Sequence, residues 1–381
     1  MLLKFSLLTN ELSFMFFLLW FCFLISMAII LYRLIFSVRN FLSFPALHSS
    51  QNDANPGKVS IIIPVRNEER EISNLIDSLK QIQFENFEVL IGNDSSEDKT
   101  FELATKLIQN DDRFKIFNTP SLPSDWMGKP YTCNFLAEHA EGDYLLFIDA
   151  DVRLSPKGIN QAVCELKHQN ADLLTLFPVQ TMKTPGEWAT VPIVNFLLLS
   201  FVYLPAVSDP KSDSGVAIGQ FMLFDARSYH REKWHQKVRH NITEDVAIMR
   251  KLKQSGGRGV ALLATDQVYC RMYHNFGEAF RGMSKNIVDL FDSSIMKVLL
   301  YMTFTVLLWP AYLAFLPLQV SLAAVGLILI NKIFTSRLSS QSFVKNLLYH
   351  PFQAISISLI SIYSIYLHLT GGINWKGRKL Q

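Results

Sequence analysis

The sequence predicts an α/β domain with a mostly parallel sheet, held between apolar helices at both ends of the chain. Three observations carry this. Short β-branched or aromatic runs alternate with helical stretches from Val59 to Phe177, the pattern of βαβ units. One of those runs, Tyr144 to Ile148, ends in the triplet Asp149-Ala150-Asp151. Long charge-free stretches lie before and after the alternating region. A hydrophobic share of 49% with only 18% charged residues is too apolar for an ordinary soluble enzyme, while 381 residues suffice for one sizeable domain plus membrane segments. The 36 Lys and Arg against 33 Asp and Glu leave a net charge of +3, too weak a bias to point to nucleic acid. Cys22, Cys133, Cys164 and Cys270 show no ligand-like spacing and read as small apolar residues in a reducing compartment.

The anchor comes first. Leu12 to Leu31 carries no charge and is long enough for the roughly 30 Å hydrocarbon core. It is too long for a signal peptide, and no small-x-small cleavage site follows. Residues 1–39 are therefore expected to be an uncleaved anchor with its span at about 12–32. Arg33, Arg39 and Lys58 after the segment outweigh Lys4 before it, which puts the next domain in the cytoplasm. A polar linker is expected over 40–57 and a globular domain over 58–290.

Within that domain, Val59–Ile63 is a strand ended by Pro64, and 69–82 has helical periodicity. Phe87–Ile91 is the second strand, followed by a helix over 97–108 with Ser96 as its N-cap. Phe114–Phe117, Tyr144–Ile148, 172–177, 218–224, 260–263 and 268–272 complete the strands. Helices are expected over 128–140 and 244–254, the latter with Thr243 at its mouth. Trp188 to Val207 is uncharged, yet a crossing there would separate Asp149 and Asp151 from Glu244 and Asp245. Pro192 and Pro205 also interrupt it. An interfacial or domain-packed apolar element is expected instead. Residues 291–381 form a second membrane region with candidate spans at 298–315, 317–331 and 352–369. Its basic tail favours the cytoplasm, whereas three crossings would place it outside, a conflict that an interfacial or re-entrant segment would resolve.

Ligands in open α/β sheets bind beyond the C-terminal strand ends. There the sequence places Pro64 and Glu68, then Asp94, then Gly128 and Lys129, then Asp149 and Asp151. Two carboxylates at i and i+2 suit one divalent cation that also holds phosphate oxygens. The other acids can accept hydrogen bonds from a base or ribose, and helix N-termini can face phosphate. Glu244 and Asp245 offer a general base. Arg281 and Lys285 offer cations for a leaving diphosphate. Each motif has a plainer alternative. The acid pair also fits a solvated turn, Thr243-Glu244-Asp245 an ordinary helix start, and the late basic residues headgroup anchoring.

Taken in order, SIIIPVRNEE, GNDSSEDKT, GKPYTCNFLAEHAEGDYLLFIDAD and NITEDV resemble the inverting family-2 glycosyltransferases of the GT-A fold. The resemblance implies that Asp94 contacts the nucleotide base and that Gly128 and Lys129 line its pocket. It implies that Asp149 and Asp151 hold Mg²⁺ or Mn²⁺ against the diphosphate, and that Asp245 is the base beside Glu244. The acceptor-holding QxxRW motif of processive polysaccharide synthases is missing: Arg281 fits its first position, but no Arg-Trp pair follows. RMYHNFGEAFRGMSKN and the late WKGR are similar to the membrane-bound branch that glycosylates carotenoid acids such as diaponeurosporenoate, with hopanoid-associated and ceramide glucosyltransferases as further relatives. These imply a nucleotide-diphosphate sugar donor and a hydrophobic lipid or carotenoid acceptor in contact with membrane lipids. Trp188, Phe196, Leu199 and Phe201 are the expected acceptor wall. A polyprenyl-phosphate acceptor is one alternative, and a membrane scaffold that kept the nucleotide-binding sheet is the other.

Overall fold

Runs of buried β-branched and aromatic residues build the central sheet. The computed structural model describes residues 2–47, 57–372, 374–375 and 378–379, with side chains for 11–47 and 57–372. Its strands are β1 (Val59–Val65), β2 (Phe87–Asn93), β3 (Phe114–Asn118), β4 (Tyr144–Ile148), β5 (Val152–Leu154), β6 (Leu173–Phe177), β7 (Val179–Gln180), β8 (Phe221–Asp225), β9 (Gly259–Leu263) and β10 (Val268–Cys270), with β11 (Asn374–Trp375) and β12 (Arg378–Lys379) as a separate antiparallel pair in the tail. Seven of them form one sheet in the order β3-β2-β1-β4-β8-β6-β9. Only β8 runs against its neighbours β4 and β6, so the sheet is mostly parallel. A small sheet, β5-β10-β7, continues the chain directly after Asp151.

Period-two alternation sorts the side chains onto two faces. Ile61, Ile63, Val89, Ile91, Leu146 and Ile148 meet the helices Ile72–Lys80, Thr100–Ile108 and Gly158–His168. Ile62, Leu90, Leu145 and Phe147 meet Gly128–Ala137 and Glu244–Gln254. Helices on both faces explain why the strands read as continuous apolar runs.

Several element ends differ from expectation. β1 continues through Pro64 to Val65 in register with β2. Ser96 does not cap the helix that begins at Thr100. Its Oγ accepts the Asn67 N–H instead, while Asp98 accepts the Thr100 N–H. Thr243 makes no side-chain cap bond. Residues 218–220 are a turn, and β8 begins only at Phe221.

Among the described residues, four helices are long and apolar enough to cross a membrane: Glu11–Ser43, Ile295–Phe315, Leu318–Leu338 and His350–Thr370. Exposed Phe14, Phe17, Leu24, Phe315 and Leu369 suit a lipid solvent better than water. The N-terminal helix reaches Ser43, so residues 40–43 of the expected linker are helical. Ala46 then pairs with Leu263, and Leu47 enters the core. The rest of that linker, 48–56, lies outside the described residues, as do Lys376 and Gly377 of the basic tail. A π-turn over Thr303–Leu307 loosens one carbonyl, and Ser26 Oγ donates to it at Phe304 (2.7 Å).

The apolar stretch 188–207 yields a helix of 10 residues, Pro192–Phe201, and one tight turn, Leu204–Val207. At about 15 Å the helix is too short to cross a bilayer. It packs among the N-terminal, Leu318–Leu338 and His350–Thr370 helices. Leu199 is fully enclosed, which removes it from any acceptor wall.

Gly92, on β2, lies under the Gly128–Ala137 helix. A Cβ there would meet Thr132 Cγ2 at 2.6 Å and Leu136 Cδ1 at 2.9 Å, both on fully buried side chains. Gly92→Val should lower unfolding stability by roughly 1–3 kcal/mol, the usual scale of overpacking. Thermal unfolding of the full chain in detergent checks this, and an unchanged midpoint would refute it.

Candidate active site

The parallel strands bring the predicted loops to one edge. Two of those loops turn through left-handed backbone at non-glycine residues, Asn67 and Ser95, both at φ 51°. The buried Arg66 guanidinium holds them together, donating to the carbonyls of Asp94 (2.7 Å) and Ser95 (2.9 Å). The Asp94 N–H donates to Val65 O, and the Glu68 N–H to Thr100 Oγ1. Pro64 and Asp94 thus sit side by side on a braced edge.

Lys129 joins the two acidic motifs. Its Nζ lies 2.7 Å from Asp149 Oδ1 and 2.9 Å from Glu244 Oε1. Burial opposes the ammonium charge, but Asp149 and Glu244 overcome it and hold the lysine well above its ordinary range. Asp245 accepts the Gly219 N–H on Oδ2 and the Val246 N–H on Oδ1, each at 2.8 Å. Burial and the adjacent Glu244 still push its carboxyl up to about 6, suited to accepting a proton near neutral pH. Gly219 is a participant the sequence did not flag. A Cβ there would stand 2.9 Å from Lys129 Nζ, so any larger residue would shift the ammonium from its bridging position.

Asp151 sits deeper. Burial, then the charges of Asp149 and Glu68, push its carboxyl up to about 7. Its Oδ1 is enclosed without a hydrogen-bond partner among the described residues. A carboxylate pair with one enclosed, unpartnered oxygen fits a divalent cation. Among the described residues no three His, Cys, Asp or Glu side chains converge on one point. Asp149 and Asp151 would therefore hold a metal together with ligand oxygens, and Asp149 would share itself with Lys129.

Behind Asp151 runs a polar chain that sequence spacing does not reveal. Burial, as the larger cause, and the Asp151 charge together hold the nearby Cys270 thiol well above its ordinary range. Gln220 donates to Cys270 Sγ, and Gln180 donates to Gln220. The Arg271 N–H reaches the Asp151 carbonyl (3.4 Å), and its guanidinium pairs at 2.8 Å with the fully buried Glu187. Arg281 lies exposed on the Phe276–Ser284 helix, with Lys285 half-buried just past its end. Trp188 is buried next to Glu187. Phe196 and Phe201 are stacked against Arg33 of the N-terminal helix.

Residues 60–238 match the model of glycosyl transferase family 2. The chain carries a family-2 glycosyltransferase domain. It is 24% identical over 259 residues to the 4,4'-diaponeurosporenoate glycosyltransferase of Staphylococcus haemolyticus, covering 67% of this chain and 66% of that one. It is 30% identical over 121 residues to the poly(ribitol-phosphate) β-N-acetylglucosaminyltransferase TarS of Staphylococcus aureus, covering 31% and 20%. The chain thus spans less than two thirds of the length of these relatives. In fold, the mannosyltransferase PcManGT of Pyrobaculum calidifontis, solved with GDP-mannose and Mn²⁺, aligns at a TM-score of 0.52 and 13% identity over 91% of this chain and 99% of that one. The glycosyltransferase domain therefore has a GT-A-type fold.

Removing Lys129 would leave Asp149, Glu244, Asp151 and Asp245 without their shared cation. Carboxyls raised on folding make the folded state bind more protons than the unfolded chain. The stability they contribute is full below about pH 4 and is lost as pH rises through about 6 and 7. Lys129→Met should steepen that loss, so its unfolding midpoint should fall further below wild type at pH 8 than at pH 5. An equal deficit at both would show that the bridge carries no net charge effect.

Proposed function

We propose that the chain is a non-processive inverting glycosyltransferase. It moves a hexose from a nucleotide-diphosphate sugar, with UDP-glucose the favoured donor, to a hydrophobic lipid- or carotenoid-like acceptor at the cytoplasmic face of a membrane. The observation that carries this reading is the Lys129 bridge. It sets a diphosphate-type acid pair and a general-base acid side by side at the C-terminal strand ends, on the side from which the apolar helices extend. The name of the S. haemolyticus relative supports an apolar acceptor, and PcManGT supports a divalent metal.

Pro64, Glu68, Asp94 and Gly128 edge the cleft where base and ribose would lie. Asp245 takes the proton from an acceptor hydroxyl as its oxygen bonds to the anomeric carbon. The bond from that carbon to the phosphate oxygen breaks on the opposite side, and the nucleoside diphosphate leaves with the electron pair. Lys129 places a positive charge where the diphosphate develops negative charge. A bound Mg²⁺ or Mn²⁺ on Asp149 and Asp151 would neutralise the same oxygens. Arg281 lies on the late helix and Lys285 just past its end, and both are secondary to Lys129 in this scheme.

Asp245→Asn should lower transfer by at least ~10² while leaving UDP affinity nearly unchanged. In wild type, kcat/KM should fall as pH drops below about 6, where Asp245 takes up its proton. Radiolabelled transfer in nanodiscs with a UDP titration on the same samples measures both. Lost UDP affinity with unchanged transfer per bound complex would move Asp245 to a binding role. Asp151→Asn should abolish chelator-sensitive turnover, and activity indifferent to chelator in both proteins would remove the metal.

A further inference from the structure

Two cations are buried among the apolar helices, away from the acid cluster. Arg33 is 6% exposed and Lys332 3%. They straddle one ring: the Arg33 guanidinium lies 4.1 Å from the centroid of Phe196 and Lys332 Nζ 4.3 Å. Their other partners are uncharged, Ser200 and Tyr301 for Arg33 and Gln353 for Lys332. Among the described residues neither makes an ion pair, and Arg33 Nη2 is enclosed without a hydrogen-bond partner. Arginine stays protonated in proteins, so at least one uncompensated positive charge is held in an apolar surround.

The same two helices form a groove between one and two turns before the cations. It has a volume of about 330 Å³ and is lined by Phe23, Met27, Gln319, Val320, Ala323, Ala324 and Leu327, without either cation. Met27 precedes Arg33 on one helix and Leu327 precedes Lys332 on the other, less than two turns away in each case. The helices run side by side in the same direction, with Ser37 on Asn331 and Phe41 on Phe334 nearer the glycosyltransferase domain. The apolar groove therefore lies deeper among the spans, and the charges lie toward the domain.

We propose that Arg33 and Lys332 form a binding site for the single anionic headgroup of a membrane lipid whose acyl chain lies in this groove. Charge complementarity selects an anion, and the adjoining groove selects an amphiphile over a free ion. The site rests on these helices being membrane spans and not on glycosyl transfer, so its failure and that of the transferase reading are separable. It is joined to the acid cluster by a continuous path. Lys332 bonds Gln353, Gln353 donates to the carbonyl of Trp188, and the neighbouring Glu187 pairs with Arg271, whose N–H meets Asp151.

The test is native mass spectrometry of the full chain in detergent, titrated with dioleoylphosphatidylglycerol, with dioleoylphosphatidylcholine as the zwitterionic control and inorganic phosphate as the free anion. One phosphatidylglycerol should stay bound where phosphatidylcholine does not. Arg33→Gln and Lys332→Met should each weaken it at least ~10-fold with UDP affinity unchanged, since a hydrogen-bonded charge pair contributes at least that much. Arg33→Lys should retain most of it. Ala323→Trp fills the exposed groove without touching either cation and should also weaken phosphatidylglycerol, which keeps the proposal testable if Arg33→Gln fails to fold. Equal retention of both lipids, wild-type affinity in the variants, or inorganic phosphate binding as tightly as the lipid would each overturn the site.

Discussion

The contact on which the site depends is the ammonium of Lys129 between Asp149 and Glu244. Two close ion pairs at an effective dielectric near 20 are each worth roughly 4 kcal/mol of attraction, and the partly buried groups lose part of that to desolvation. The larger effect is organisational. Asp149 follows β4, Glu244 opens a helix, and Lys129 opens another. One charge therefore fixes three elements that share no backbone hydrogen bonds at that point. Without it, four carboxylates would face one another across the same cleft and the two acidic motifs would repel.

That arrangement places different demands on the two aspartates after β4. Asp149 is partly neutralised by the lysine. Asp151 keeps its charge only against burial and two neighbouring acids. The pair is asymmetric, one oxygen set satisfied by protein and one enclosed oxygen left over. Such asymmetry suits a site that binds a cation with its substrate rather than a permanently filled cage, for which more protein ligands would be needed.

Much of the fold was legible because both faces of the sheet are covered. Val59–Val65, Phe87–Asn93 and Tyr144–Ile148 had to be apolar on both sides, so their runs stood out, and strand ends in a parallel sheet necessarily gather. The acid pair, Lys129 and Asp245 were legible for the same reason. What escaped was set by tertiary contact. Gly219 matters through the room it leaves for Lys129, and nothing in its sequence neighbourhood says so. Ser96 and Thr243 looked like caps because hydroxyls before helices usually are, but a cross-loop partner claimed Ser96, and Asp245 took a first-turn N–H beside Thr243. The Gln180-Gln220-Cys270 chain joins two strands and the turn before β8, and it has no spacing to read. The stretch 188–207 looked long enough to span because its apolar length counts a helix and a separate turn together, divided by Val202 and Tyr203. Leu199 was assigned to an open wall because apolarity alone does not tell a lipid-facing side chain from one enclosed by three helices.

The long apolar helices raise an energetic question that the sheet domain does not. A desolvated cation–π contact supplies about 2 kcal/mol, whereas removing one ion from water costs several kcal/mol even after relaxation. Phe196 is shared by Arg33 and Lys332, whose charges repel, and the remaining bonds come from hydroxyls and an amide. These contacts do not balance two buried charges. The anionic headgroup proposed above would supply the missing compensation. The helix Pro192–Phe201 carries the ring between them and follows directly from the segment of Glu187 and Trp188. A rearrangement around Phe196 would therefore reach Arg271 and the backbone of Asp151 through bonded neighbours. The short apolar helix thus links the packing of the long apolar helices to the backbone that holds Asp151.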